Sequence, residues 1–138
     1  MEVHFTVPGE PVGKGRPRFS RQGSYVMAYT PDKTASYENL IKLEYERQSG
    51  YSFGEKTIGL RVTAYFAIPK SASKVKRRRM MCGEIHPAKK PDIDNVCKVV
   101  ADALNGVAYK DDRQIVYTEI AKRYDDMPRM DVTIFEVQ

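Results

Sequence analysis

Residues 92–107 read DIDNVCKVVADALNGV and carry the clearest periodic pattern of the chain. Apolar side chains recur there at intervals of three and four, which places them on one side of a helix. These residues are Val96, Val99, Val100, Ala103, Leu104 and Val107. The pattern predicts an amphipathic helix that is capped by Asp92 or a neighbour and ends near Asn105, with Gly106 after it.

A second helix is predicted earlier in the chain. Thr30 is a typical N-cap, and Pro31 suits the first helical position because its fixed backbone angle is already helical. The helix should run to about Ser49, with Gly50 as its stop. Its buried side is expected to consist of Tyr37, Leu40 and Ile41.

The remaining segments complete an α+β fold. Alternating or β-branched stretches predict strands at residues 3–7, 59–68, 115–124 and 130–137. The segments that fall outside these patterns are residues 8–29, read as a long loop, and residues 71–81, read as a basic helical turn or a mobile loop. The order of elements indicates a small mixed sheet with two main helices, in a single domain that spans residues 1–138.

The composition argues against several classes of protein. No run of apolar residues approaches the length of a membrane helix, and the first residues lack the features of a signal peptide. The two cysteines, Cys82 and Cys97, do not make a disulfide framework or a zinc knuckle. Residues 9–15 contain Gly-Lys-Gly without the P-loop spacing, so no nucleotide cofactor is expected. We expect a cytoplasmic protein with no membrane partner.

The positive charge is concentrated in two segments. Residues 11–21 contain four basic residues and no acid, and residues 70–90 contain eight basic residues and one acid. Because the net charge of the chain is +5, the remainder carries −6. Such a distribution favours a polyanionic partner such as nucleic acid, although a solvated loop face is the ordinary alternative. The predicted DNA contacts are Lys14, Arg16, Arg18, Arg77, Arg78, Arg79, Lys89 and Lys90.

Four carboxylates flank the predicted helix of residues 92–105. Asp92 and Asp94 lie at its start, whereas Asp111 and Asp112 follow its end. Carboxylates without histidine or thiolate favour hard cations, so they predict a site for Mg²⁺, with Mn²⁺ as a substitute. Such a metal can activate water and stabilise charge on a phosphodiester.

The same residues also have an ordinary explanation. Asp92 could be only a helix cap, and the acidic pair after the helix could be turn residues. Asp94 and Asp102 could pair with Lys98, since the three are spaced four apart on one stripe. A helix from residue 94 to 105 is about 18 Å long, so the two acidic pairs meet only if the chain after Gly106 turns back along the helix or if Asp112 starts a strand beside its N-terminus.

A combination of four blocks distinguishes these explanations. The blocks PDIDN at 91–95, Lys98, DALNG at 102–106 and DDRQI at 111–115 occur in the order and spacing that resemble the RusA family of Holliday junction resolvases. The resemblance is strong over residues 89–118 and weaker in the basic segment 11–18. It implies an intertwined α+β homodimer that cuts branched DNA with aspartates and Mg²⁺ in recombination and repair. Such proteins are often encoded by phages or prophages.

The resemblance also implies roles for single residues. Asp92, Asp94 and Asp112 resemble the essential carboxylates of the family, Lys98 its functional lysine, and Asp111 a supporting ligand. The basic cluster 76–79 departs from the family, in which many members carry arginines directly before the first aspartate. The expected function is a Mg²⁺-dependent nuclease that makes paired nicks in four-way junctions. The alternatives are a nuclease for flaps or forks and a DNA-binding module without catalysis.

Overall fold

The computed structural model describes residues 1–15, 18–23, 25–29 and 32–138. Residues 18, 20–22 and 25–29 are described by their backbone alone. The elements, in chain order, are β1 (Glu2–Pro8), β2 (Arg18–Gln22), β3 (Tyr25–Tyr29), α1 (Asp32–Gln48), β4 (Ile58–Ala67), α2 (Lys74–Met81), α3 (Ile93–Leu104), a short 3-10 helix (Asp112–Gln114), β5 (Ile115–Asp125) and β6 (Arg129–Glu136).

The main sheet has four strands in the order β1-β6-β4-β5. β4 pairs in parallel with β5 and antiparallel with β6, and β6 pairs antiparallel with β1. Val62 of β4 stands opposite Val132 of β6 and Ile120 of β5, so apolar residues face the same side on neighbouring strands. The alternation that predicted these strands therefore sets one apolar face of the sheet.

Two helices cover this apolar face. α3 buries the predicted residues Val96, Val99, Val100, Ala103 and Leu104, and α1 buries Tyr37, Ile41 and Tyr45 at a spacing of four. Both helices contribute to one hydrophobic core with alternate residues of β1, β4 and β6. Leu40 is only partly buried, and Val107 lies beyond the end of α3 instead of on its apolar side. The predicted α+β class with a mixed sheet is confirmed.

The segment 8–29 is not a continuous loop, so that prediction is wrong. Its second half forms the antiparallel hairpin of β2 and β3, which is separate from the main sheet. Two residues, 23 and 24, connect the strands, and Gly23 has a φ of 61°. Glycine adopts positive φ readily, and such a residue is typical of the tight turns that join hairpin strands.

The boundaries of the helices agree with the sequence where the structure describes them. α1 ends before Gly50, whereas its predicted start at Thr30 and Pro31 lies outside the described residues. The segment 71–81 contains the helix α2, and the hydroxyl of Ser73 at its N-cap accepts a hydrogen bond from the Lys76 backbone. In the described parts of the chain, no helix is both long and apolar enough to cross a membrane.

Candidate active site at the two ends of helix α3

The start of α3 presents two exposed carboxylates. Asp92 occupies the N-cap position and its carbonyl accepts a hydrogen bond from Val96, but its side chain makes no capping hydrogen bond. Asp94 follows in the first turn. Among the described residues, neither carboxylate forms an ion pair within 4 Å, although the positive end of the helix favours negative charge there. Capping by its side chain therefore does not account for Asp92.

The chain turns back on itself after α3. The backbone NH of Gly106 donates to the carbonyl of Tyr109 at 2.8 Å, and the buried Tyr109 side chain lies along the helix that precedes it. Its hydroxyl donates to the carbonyl of Ala101 at 2.6 Å. This return covers about one helical turn, so it brings the acidic pair that follows beside the C-terminal half of α3 and not to its start.

Asp111 holds the acidic turn together. Its carboxylate accepts a hydrogen bond from the Arg113 backbone at 3.0 Å, and this bond lowers the pKa of Asp111. The buried Gln114 side chain accepts from the Asp111 backbone and donates to the carbonyls of Gly54 and Lys56, each at 2.8 Å. The turn is thus a capping box that is fastened to the loop before β4.

Asp112 lies close to two other carboxylates, those of Asp111 and Asp102. Burial raises the pKa of Asp112, and the neighbouring carboxylates of Asp111 and Asp102 raise it further. Asp102 was not among the predicted ligands, yet its charge reaches both Asp112 and Tyr109. Burial raises the pKa of the Cys97 thiol, and the nearby carboxylates of Asp102 and Asp94 raise it further. Asp94 and Asp102 therefore lie on either side of Cys97 on α3, and Asp112 lies near Asp102.

Lys14 is partly buried between two acids. Its ammonium donates to Glu38 of α1 at 2.6 Å and lies 3.2 Å from Asp102 of α3. Burial opposes the charge, but these hydrogen bonds and charges outweigh it and raise the pKa of Lys14. A DNA contact by Lys14 stays a prediction, and the observed contacts favour a role in joining the two helices.

The backbone around Lys14 fits closely against the start of α3. The backbone NH of Lys14 donates to the carbonyl of Asn95 at 3.0 Å. A Cβ on Gly13 would lie 2.4 Å from the Cβ of Pro91, so only glycine fits there without a shift of its neighbours. Gly15 donates its backbone NH to the hydroxyl of Thr34 in α1 at 3.0 Å. Residues 13–15 thus connect α1 to the turn that carries Asp92.

Lys98 forms no ion pair with Asp94 or Asp102, the acids four residues before and after it on α3. Its side chain is exposed, and none of the ion pairs between described residues joins it to Asp94 or Asp102. Asp102 is paired with Lys14 instead. The alternative in which Lys98 serves only as the partner of these two acids is therefore not observed, and its ammonium is free to meet an anion.

The donor set fits a hard cation in its chemistry. Within residues 1–15, 18–23, 25–29 and 32–138, no three His, Cys, Asp or Glu side chains are grouped closely enough to hold a metal. The carboxylates come in two pairs, Asp92 with Asp94 and Asp111 with Asp112, which the structure does not join into one cluster. Mg²⁺ is commonly held by one or two carboxylates, while waters and a substrate phosphate supply its other ligands. Either pair suits that requirement, and the assignment of these four residues as ligands stays a prediction.

The predicted DNA contacts fall into different environments. Arg77 pairs with Asp126 at 2.5 Å and Arg79 with Glu84 at 3.1 Å, whereas Arg78 is exposed and has no ion-pair partner among the described residues. Lys89 and Lys90 are exposed ahead of α3. Arg16 and the side chain of Arg18 lie outside the described residues.

Two comparisons with known proteins bear on the family of this chain. The model of the endodeoxyribonuclease RusA family matches residues 8–135. The chain is also 36% identical over 137 residues to the uncharacterized protein YqaN of Bacillus subtilis (strain 168), and the match covers 98% of this chain and 96% of that protein. The blocks at residues 91–95, 102–106 and 111–115 all lie within the family match. This chain therefore belongs to the RusA family of endodeoxyribonucleases.

Proposed function

We propose that this protein is a Mg²⁺-dependent nuclease that resolves four-way DNA junctions by paired, symmetric nicks. The observation that carries the proposal is the state of Asp92, which stands at the N-cap of α3 with a carboxylate that caps nothing. Because the Asp92 carboxylate makes no capping hydrogen bond, it is available to a ligand, and a second carboxylate, Asp94, lies beside it in the sequence. Membership of a family of endodeoxyribonucleases supports the same chemistry.

The residues around the site would share the work of cleavage. Each acidic pair, Asp92 with Asp94 and Asp112 with Asp111 in support, would hold Mg²⁺ through its carboxylates. When bound, the metal would lower the pKa of a water molecule and offset charge on the phosphodiester. The exposed ammonium of Lys98 would face the charge that develops on phosphorus. Cleavage would leave a 5′-phosphate and a 3′-hydroxyl, which a ligase can rejoin.

A second copy of this chain is the partner that the proposal requires. A four-way junction offers two equivalent strands, and a two-fold symmetric dimer presents one site to each. β5 is one of the two edge strands of the main sheet, and its Val116 and Tyr117 are 56% and 46% exposed. Exposed apolar residues on an unpaired edge favour association with another strand. We propose that this edge contributes to the homodimer.

The test is cleavage of a labelled synthetic four-way junction with and without Mg²⁺, with the Asp94→Asn variant as control. We expect symmetric, ligatable nicks that require both the metal and Asp94, while the variant still binds DNA. Efficient competition by flaps or forks would favour a nuclease of wider specificity. Binding without cleavage under any metal condition would favour a non-catalytic DNA-binding module and would overturn the proposal.

A further inference from the structure

Two lysines converge on one buried aromatic ring near the start of α3. Phe66 lies near the end of β4, where only 2% of its surface is exposed. The ammonium of Lys89, in the loop before α3, is 5.4 Å from the centre of this ring, and that of Lys122 of β5 is 5.8 Å from it. Lys122 also donates a hydrogen bond to the backbone carbonyl of Lys89. These contacts fix both side chains on one part of the surface.

The two ammonium groups have no carboxylate to neutralise them. Among the described residues, no Asp or Glu lies within ion-pairing distance of Lys89 or Lys122, and the parts of the chain outside those ranges contain no acid. Glu84, the one acid in the basic segment 70–90, is paired with Arg79. The two ring distances limit the separation of the ammonium nitrogens to about 11 Å, so the two cations add to the positive potential at one part of the surface. An anion beside them would be attracted by both charges.

We propose that Lys122 and Lys89 form a subsite for a phosphodiester group of the DNA strand that leads to the candidate active site. The inference rests on the proposed function, because it takes branched DNA as the ligand. Lys89 precedes Asp92 by three residues, which span at most about 10 Å. With about 3.4 Å of axial rise per nucleotide, the bound phosphate lies a few nucleotides from the scissile bond.

The position of Lys122 in the sheet explains how its charge stays at the surface beside the core. In the register of the sheet, Lys122 stands opposite Ala64, on the face of the sheet that the helices cover farther along. Lysine buries its apolar stem and keeps its charge at the surface, so this position brings a cation to the edge of the core without burying it. The aromatic face of Phe66 stabilises both cations in the absence of DNA. The ring therefore organises the subsite before a phosphate arrives.

The salt dependence of DNA binding tests the proposed phosphate contact in the absence of cleavage. The protein is titrated against a labelled four-way junction in EDTA at several salt concentrations, and the slope of log K against log salt is compared for wild type and Lys122→Gln. Loss of one phosphate contact per protomer should reduce the magnitude of the slope by about 0.9 for each protomer, and therefore by about 1.8 for the proposed dimer. The same change weakens binding about eightfold per contact at 0.1 M salt relative to a 1 M reference. The Lys122→Arg variant should retain the slope.

The matched control is Lys56→Gln, which removes the same charge ahead of β4. Lys56 is paired with Glu136 and lies about 30 Å from Phe66 along the strand direction, so its slope should equal that of wild type. Lys89→Gln, at an exposed position, makes the same prediction as Lys122→Gln and serves should the latter fail to fold. Equal slopes for wild type, Lys122→Gln and Lys89→Gln would overturn the subsite and leave the proposed function standing. Absence of junction binding by wild type would overturn both.

Discussion

The buried contacts of Lys14 give the sharpest quantitative prediction. Lys14→Met leaves Glu38 and Asp102 without their cation, and the three side chains are only 19%, 16% and 33% exposed. Removal of one partner from a fully buried ion pair costs about 3–5 kcal/mol, whereas exposed pairs contribute below about 1 kcal/mol. For this intermediate exposure we expect the free energy of unfolding to fall by about 2 kcal/mol. That corresponds to a Tm lower by roughly 6 °C for a chain of this length.

Urea denaturation at fixed ionic strength measures the change, with Lys42→Met of the same helix α1 as control. Lys42 is partly exposed and forms no ion pair with any described residue, so its replacement should change stability by less than about 0.5 kcal/mol. Because the pKa of Lys14 is raised, its contribution is present below the ordinary lysine value of about 10.4 and is lost only above it. The difference should therefore persist between pH 6 and 9. Equal stability of the two variants would refute the reasoning.

A second measurement separates a joining role for Lys14 from a phosphate contact. If Lys14 joins α1 to α3, the salt slope of DNA binding should be the same for Lys14→Met and wild type. If Lys14 contacts a phosphate, the magnitude of the slope should fall by about 0.9 for each protomer bound. The observed pairing with Glu38 and Asp102 predicts the first result.

Three further predictions concern charge and assembly. Arg78→Ala should reduce the salt slope of DNA binding more than Arg79→Ala, because Arg79 is already paired with Glu84; equal slopes would contradict this. Burial, Asp111 and Asp102 raise the pKa of Asp112, so the ionised carboxylate destabilises the folded protein. Asp112→Asn should therefore raise the Tm of the metal-free protein at pH 7, and the difference should vanish as the pH falls below about 4. A lower Tm of the variant at pH 7 would contradict this. Val116→Lys should shift the protein toward monomer in sedimentation, and an unchanged dimer would place the interface elsewhere.

The sequence predicted best what depends on local periodicity. α3 and β4 were located within one or two residues because their apolar side chains repeat at the helical and strand intervals. The hairpin of β2 and β3 was missed because its strands are five residues each and the surrounding Gly, Pro and Arg are typical of loops. The Gly-Ser pair at 23–24 between those strands was the available signal for a hairpin.

The candidate site was predictable only in part. The positions of Asp92 and Asp94 follow from the helix start, so local pattern was sufficient for them. The environment of Lys14 was not predictable, because its partners Glu38 and Asp102 lie 24 and 88 residues away along the chain. The approach of Asp102 to Asp112 likewise depends on the turn made by Tyr109, which no local spacing specifies.

Because Gly13 has no side chain, its backbone packs directly against the turn that begins at Pro91. A Cβ at position 13 would overlap the Pro91 Cβ by about 1 Å relative to ordinary contact. Any larger residue would therefore wedge the start of α3 outward and carry Asp92 with it. If Asp92 holds the metal as proposed, a displacement of that size would slow cleavage about a hundredfold. Substitution at position 13 would then test the alignment of the proposed site, although the residue bears no functional group.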